Sequence, residues 1–514
     1  MTAAFTAAPP PQHAATPRAI AFASRPLLLA ILVTITITAV RFGSGVDTDV
    51  ASQLGIAQRV DEGAKLYRDI IEVNPPLWFW MAIPVDRLAA LLHLKPVVVL
   101  IAAFGLLVAL ALGATDRLIG HIARTPRRWF LGYAALILAA MPWTHIGQRE
   151  QIALIGALPY AALIAARREG RRVRTPLAIA VGTGAALGFA LKHYFLIAPA
   201  ALELWLVFTM GRRWRPFRPE TIAMAGVGIS YAAVLLADRD YLTRIVPLLR
   251  LAYGDFGPRS IGVLFNPDVI VGLAILAFTA AHARHLLRRS SSTAMALLVA
   301  ALAFATSYFL QFKGWPYHTI PFVGCGSLAL AALLAESPSP PRPLLMVAPA
   351  LLSLPLVASV SEALHPTPPN RDALEAVAGL RPGDPVAFLT TDTTIPSAVS
   401  LVHGFPNPSR YNGIWMMHAV VDNELHGNRN PRIAAFGRDV AANTVVDFRC
   451  RPPRRIIAER PRSGTTGFDI LAFYLRDPQF AELLSHYRVR SRTSLETFEL
   501  ATPWTRPRAS SCRL

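Results

Sequence analysis

The sequence predicts an α-helical polytopic membrane protein of about eleven spanning helices with a soluble α/β domain at its C-terminal end. Three observations carry that expectation. Of 514 residues, 53% are hydrophobic and only 16% are charged, with a mean hydropathy of +0.40, which excludes an ordinary soluble enzyme. Apolar runs near spanning length recur, among them PLLLAILVTITITAV (26–40), PVVVLIAAFGLLVALALGA (96–114), IALIGALPYAALIAA (152–166) and LVAALAFATSYFL (298–310). As helices they suit a hydrocarbon core about 30 Å thick. Beyond residue 362 the Pro-rich EALHPTPPNRD reads as a linker into a segment of different composition.

Along the chain, residues 1–25 are rich in Ala and Pro and read as a disordered cytoplasmic segment. The run that follows is too long for a signal-peptide core and lacks a clean small-residue cleavage site, so it reads as a retained helix. The expected spans cover roughly 26–43, 97–115, 129–146, 152–167, 176–192, 195–211, 221–237, 267–286, 293–311, 317–335 and 343–361. They make one membrane unit, 26–362, with a long first outer loop at 44–96. Within that loop Pro84, Asp86 and Arg87 interrupt the apolar stretch 76–92. It is therefore expected to lie at the outer surface, with Trp78 and Trp80 at headgroup depth.

Arginine placement sets the orientation. One set of loops carries Arg117, Arg124, Arg127 and Arg128, then Arg167, Arg168, Arg171, Arg172 and Arg174, then Arg212, Arg213, Arg215 and Arg218, and later Arg284, Arg288 and Arg289. The opposite loops mix fewer basic residues with acids, so the N-terminus is expected in the cytoplasm. The same bias accounts for much of the formal charge of +19. Membrane lipids, rather than nucleic acid, are the partner it implies. An odd number of spans leaves 363–514 outside. There DPVAFLTT and RRIIAER read as strands, RDALEAVAGL and FYLRDPQFAELLSHY as helices. In an oxidising compartment Cys450 and Cys512 could pair, whereas Cys325 lies inside a helix.

Ionisable residues gather at the outer helix mouths from four separate stretches. The first loop supplies Asp47, Asp49, Asp61, Glu62, Lys65, Arg68, Asp69 and Glu72. HIGQREQIAL supplies Arg149 and Glu150, LKHYF supplies Lys192 and His193, and QFKGWPYHTIP supplies Lys313, Trp315, Tyr317 and His318. Such groups are costly to leave unpaired beside apolar helix, and their convergence points to a site. Asn74-Pro75-Pro76 is expected to break a helix after Tyr67-Arg68-Asp69 and turn the chain into the interfacial segment.

The first-loop segment DTDVASQLGIAQRVDEGAKLYRDIIEVNPPLWFW (47–80) resembles the signature of the GT-C glycosyltransferases, integral membrane enzymes that use polyprenyl-phosphate-linked sugars. Protein O-mannosyltransferases and the lipid A aminoarabinose transferase are members. GALPY, GFALKHYFLIAP, KGWPYHTIP and the C-terminal outer domain extend the likeness in order along most of the chain. It implies transfer of a sugar from a polyprenyl-phosphate donor to a lipid, glycan or protein acceptor at the outer face of a bacterial-type cytoplasmic membrane. By this resemblance a first-loop aspartate is the base. Many members carry adjacent acids where this chain has Asp-Thr-Asp. Spacing to Gly63 favours Asp49, with Asp47 next.

The transition state is oxocarbenium-like and the incoming hydroxyl loses a proton. Arg149, Lys192 and Lys313 would balance the leaving phosphate. Glu150 and Tyr317 fall in the same substrate-binding group. His193 or His318 could donate a proton, or ligate a divalent metal with Glu72 or Glu150; metal dependence stays open. Tyr67 could stack on a sugar, while Arg68 and Asp69 read as partners within the loop. A transporter or lipid flippase, and a non-catalytic scaffold, are the alternatives. The sequence lacks a clear internal repeat and a mid-span charge cluster, apart from Glu203.

Overall fold

The structure is a computed structural model. It describes residues 26–42, 46–253, 261–286, 292–365, 371–502 except 393–394, 397–398, 400–403, 412–413, 428, 462–467 and 493–494, and Cys512. The expected disordered segment 1–25 lies outside these residues, as do Arg288, Arg289 and part of the linker.

Thirteen α-helices longer than one turn precede the linker among the described residues. They are α1 (Pro26–Arg41), α2 (Thr48–Asp61), α3 (Leu77–Leu92), α4 (Pro96–Leu118), α5 (Arg124–Ala139), α6 (Arg149–Arg168), α7 (Thr175–Ala190), α8 (Ile197–Met210), α9 (Pro219–Ala237), α10 (Pro267–Leu286), α11 (Ser292–Gln311), α12 (Ile320–Glu336) and α13 (Arg342–Leu364). A helix lies over every expected span. Six are long and apolar enough to cross a membrane, namely α4, α8 and α12 with their flanking short turns, α9, α11 and α13; α1, α7 and α10 are shorter apolar helices. The helices α5 and α6 begin with arginines, which lowers their mean hydropathy.

Helix α6 is the axis of the bundle. Every residue from Arg149 to Ala166 is buried, as expected of a helix covered on all sides. Its neighbours approach through small residues. At Gly182 of α7 an added Cβ would lie 2.5 Å from the Glu220 carbonyl oxygen of α9, so only glycine lets these two backbones meet. Below that crossing a buried ionic network ties three helices together. Arg167 of α6 donates to both Glu220 oxygens at 2.9 and 2.8 Å, Arg218 joins Glu220 at 2.9 Å, and Arg218 also pairs with Glu203 of α8. Glu203, in the middle of α8, is thus paired with Arg218 and also accepts from the Trp214 indole N–H at 3.2 Å, so it is not a solitary charge.

After the linker come α14 (Arg371–Val377), β1 (Val386–Leu389), α15 (Met417–Leu425), α16 (Pro431–Cys450), β2 (Arg455–Glu459), α17 (Ile470–Leu475), α18 (Pro478–Ser485), β3 (Tyr487–Arg492) and β4 (Leu495–Leu500). The sheet order is β1-β2-β4-β3. The first pair is parallel and the others antiparallel. Cys450, at the end of α16, is bonded to Cys512 with their Cα atoms 5.4 Å apart.

This C-terminal region is stitched to the first loop. Ile71 donates its backbone N–H to Arg410 at 2.8 Å, and Arg59 of α2 reaches the Ser409 carbonyl at 3.3 Å. Arg410 is itself clamped by the buried Asp447 at 2.8 Å. Ile71, Val73 and residues 248–253, the end of the irregular helical segment 241–253, pack on the same apolar cluster as Tyr411, Trp415 and Val420.

Candidate functional site

Asp47 and Asp49 start α2, and the structure gives them different surroundings. Asp47 is the N-cap: its carboxylate accepts from Val50 N–H at 2.8 Å, satisfying an otherwise orphaned helix donor. It also accepts from His145 Nδ1 and Gln148 Nε2, each at 2.9 Å. Asp49, in the first turn, accepts a hydrogen bond from the Tyr317 hydroxyl and lies in the field of Arg149 and Lys192. Burial, reinforced by the charge on Asp47, raises the Asp49 carboxyl above the ordinary range, while Arg149, Tyr317 and Lys192 oppose the rise.

Arg149 opens α6 and is 4% exposed. One guanidinium nitrogen donates to the Asn74 side chain. Its Nε is buried without a hydrogen-bond partner among the described residues. Asn74 is a hub: it donates to Glu72 from its backbone at 3.0 Å and its amide at 2.6 Å, and its carbonyl accepts from Tyr67 at 2.7 Å. Burial raises the Glu72 carboxyl, and Asn74 and Arg149 counter it.

Glu150, fully buried beside Arg149, accepts from Lys192 Nζ at 2.5 Å. Its second oxygen, and the Nδ1 of His318, are buried without partners among the described residues. Lys192 also lies 3.0 Å from His318 Nε2 and 5.5 Å from the centre of the Tyr317 ring. Burial lowers the Lys192 ammonium to about 8, although the Glu150 charge pulls upward. Lys313 donates to the Tyr253 carbonyl at 2.9 Å and lies over that ring at 4.5 Å. The Tyr253 phenol feels Arg149, Asp49 and Glu72.

Asp49, Arg149, Glu150, Lys192, Tyr317, His318 and Glu72 therefore converge, with Lys313 joined through Tyr253. His193 does not. It is exposed, with its ring 4.0 Å from that of Tyr194, because the turn after Lys192 rotates it to the other side of the chain. Arg68 pairs with Asp240, and Asp69 accepts from Lys65 N–H at 2.8 Å. Both brace the loop. Among the described residues no group of three His, Cys, Asp or Glu side chains could hold a metal ion. The ammonium of Lys192 stands where a cation between Glu150 and His318 would.

Two expectations about the first loop need correction. Trp78 is buried among the helices rather than facing outward as an interfacial anchor, and its indole N–H donates to the Gly147 carbonyl at 3.0 Å. This polar anchor inside the bundle explains why the ring faces inward. Asn74-Pro75-Pro76 does not break a helix after Asp69. Helix α2 has already ended at Asp61, and Pro76 precedes α3 as its N-cap, a position where a missing N–H costs nothing. Gln148 was read with the polar turn before α6, whereas Asn74, His145 and Tyr253 are site residues that the sequence reading did not place in the site.

No family model and no curated protein matches the chain. Among solved structures, the chain is similar to ArnT from Cupriavidus metallidurans in the apo state, at 14% identity and a TM-score of 0.52, covering 95% of this chain and 100% of that one. It is also similar to the same protein bound to undecaprenyl phosphate, at 14% identity and a TM-score of 0.51, covering 92% and 99%. The likeness read from the first loop is thus also a likeness of fold.

Proposed function

We propose that this chain is a membrane glycosyltransferase that moves a sugar from a polyprenyl-phosphate donor to a hydroxyl of a glycan, lipid or protein acceptor, with Asp49 as base. The observation that carries the reading is a half-buried carboxylate beside Arg149 and Lys192, on the fold of a protein seen bound to undecaprenyl phosphate. Of the two first-loop aspartates, Asp47 is committed to capping and to His145 and Gln148. Asp49 is the one whose surroundings suit proton uptake.

The acceptor oxygen attacks the anomeric carbon as Asp49 takes its proton. The bond from that carbon to the phosphate oxygen breaks, and polyprenyl phosphate leaves with the bonding pair. Arg149, whose Nε has no other partner among the described residues, and the Lys192 ammonium meet the developing charge in a partly dry setting. Lys313 adds a third cation. The arginine-rich ends face the cytoplasm of a bacterial-type membrane, and the region 363–514 caps the outer face, which accords with the Cys450–Cys512 bond.

The test is Asp49→Ala in membranes containing the full chain, supplied with undecaprenyl-phosphate-linked hexoses and pentoses. Release of undecaprenyl phosphate should fall at least about 100-fold while the lipid still binds. Unchanged release, or movement of the intact donor across the membrane without cleavage, overturns the reading.

A further inference from the structure

We propose that His145 is a positioning residue: it clamps and electrically neutralises Asp47, so that Asp49 alone presents negative charge to the substrate. The inference rests on Asp49 being the base. It starts from contacts that one imidazole makes in two directions. Its Nδ1 lies 2.9 Å from the carboxylate that caps α2, and its ring meets the Tyr317 ring edge-on at 5.7 Å. Tyr317 in turn donates to Asp49. His145 thus holds both the start of the helix that carries Asp49 and the phenol bonded to it.

Charge gives the arrangement a second role. Acidic groups face His145 from several elements: Asp47 at the cap of α2, Glu150 from the first turn of α6, Glu362 near the end of α13 and Asp268 from the first turn of α10. Arg41, at the end of α1, acts on Asp47 and Glu362. Burial pulls the imidazole toward its neutral form, but the bond to Asp47 and these carboxylates outweigh burial and raise its proton affinity above the ordinary value. A protonated His145 offsets the Asp47 charge, which otherwise adds to the proton affinity of Asp49. Gln148 holds the same Asp47 oxygen without charge. Geometry can therefore survive the loss of the imidazolium even though the field at Asp49 changes.

The full chain in membranes, carrying His145→Asn, His145→Gln or His145→Ala, is assayed by release of undecaprenyl phosphate from undecaprenyl-phosphate-linked sugars at about pH 5 to 9. The Asn amide occupies the place of Nδ1 and keeps the bond to Asp47 without its charge. That variant should retain kcat within about tenfold, with its acid limb moved up by about one pH unit. The Gln and Ala variants should lose about 100-fold in kcat with the donor KM little changed. Equal losses in all three variants with an unmoved acid limb, or no loss in any, overturn the inference. Asp49→Asn separates the two readings. If it leaves transfer intact, the base assignment fails. If it abolishes transfer while the His145 series behaves as wild type, only the present inference falls. Binding of undecaprenyl phosphate to each variant reports folding, and where the Ala variant does not fold, the contrast between Asn and Gln still decides.

Discussion

Replacing Lys192 with methionine removes an ammonium and keeps most of the side-chain volume. In the native chain that ammonium is 2.5 Å from Glu150, whose side chain is 1% exposed and whose other oxygen is without a partner among the described residues. The next nitrogen, His318 Nε2, is 3.6 Å away. The variant leaves a buried carboxylate uncompensated, a change that costs about 3–5 kcal/mol when one member of a buried pair is removed. For a chain of 514 residues an unfolding entropy of about 2 cal/mol/K per residue makes this a drop of about 3–5 °C in Tm.

Thermal unfolding of the detergent-solubilised protein reads both values. Glu150→Gln combined with Lys192→Met removes the orphaned charge and should recover all but about 1 kcal/mol, with undecaprenyl phosphate binding still weak. A single variant as stable as the parent at pH 8 would refute the argument, as would a double variant no better than the single.

Two further outcomes follow from the same structure. Burial lowers Lys192 to about 8, so the charge facing a lipid phosphate is lost as pH rises through that value. Undecaprenyl phosphate binding should weaken above pH 8, and Lys192→Arg should carry binding to higher pH, both measured by titration in detergent. Gly182→Val would drive a side chain into the Glu220 backbone, where a Cβ alone already falls 2.5 Å from the carbonyl oxygen. It should cost about 1–3 kcal/mol or more by overpacking, seen as a lower Tm, while Gly184→Ala, with nothing within 4 Å of the added carbon, should be near neutral.

The helix positions were legible because a spanning segment needs a long apolar run, and such runs survive without knowledge of their neighbours. The parallel strands β1 and β2 were legible for a similar reason: VAFL and the IIA core of RIIAE are short, apolar and buried. The hairpin β3–β4 was not, since YRVRSR is mostly exposed and carries little alternation. The choice between Asp47 and Asp49 stayed open because Asp-Thr-Asp offers two carboxylates within one turn. An aspartate directly before a helix start is itself a capping signal, and it would have marked Asp47 as the structural one. The remaining site residues depend on contacts across long separations. Asn74 meets Arg149 and Lys313 meets Tyr253, and no local pattern announces either pairing. Trp78 misled because a tryptophan near a loop has the same local signature whether it faces lipid or a carbonyl inside the bundle.

The bond from Ile71 to Arg410, with Arg59 reaching Ser409, has a bearing on biogenesis. The proposed base, Asp49, sits near the beginning of the chain, but the loop that carries it is held by residues that follow the last long apolar helix. During synthesis an early ribosomal product therefore carries the acid without its brace. A nascent chain stalled at the linker would lack the contacts that hold the loop.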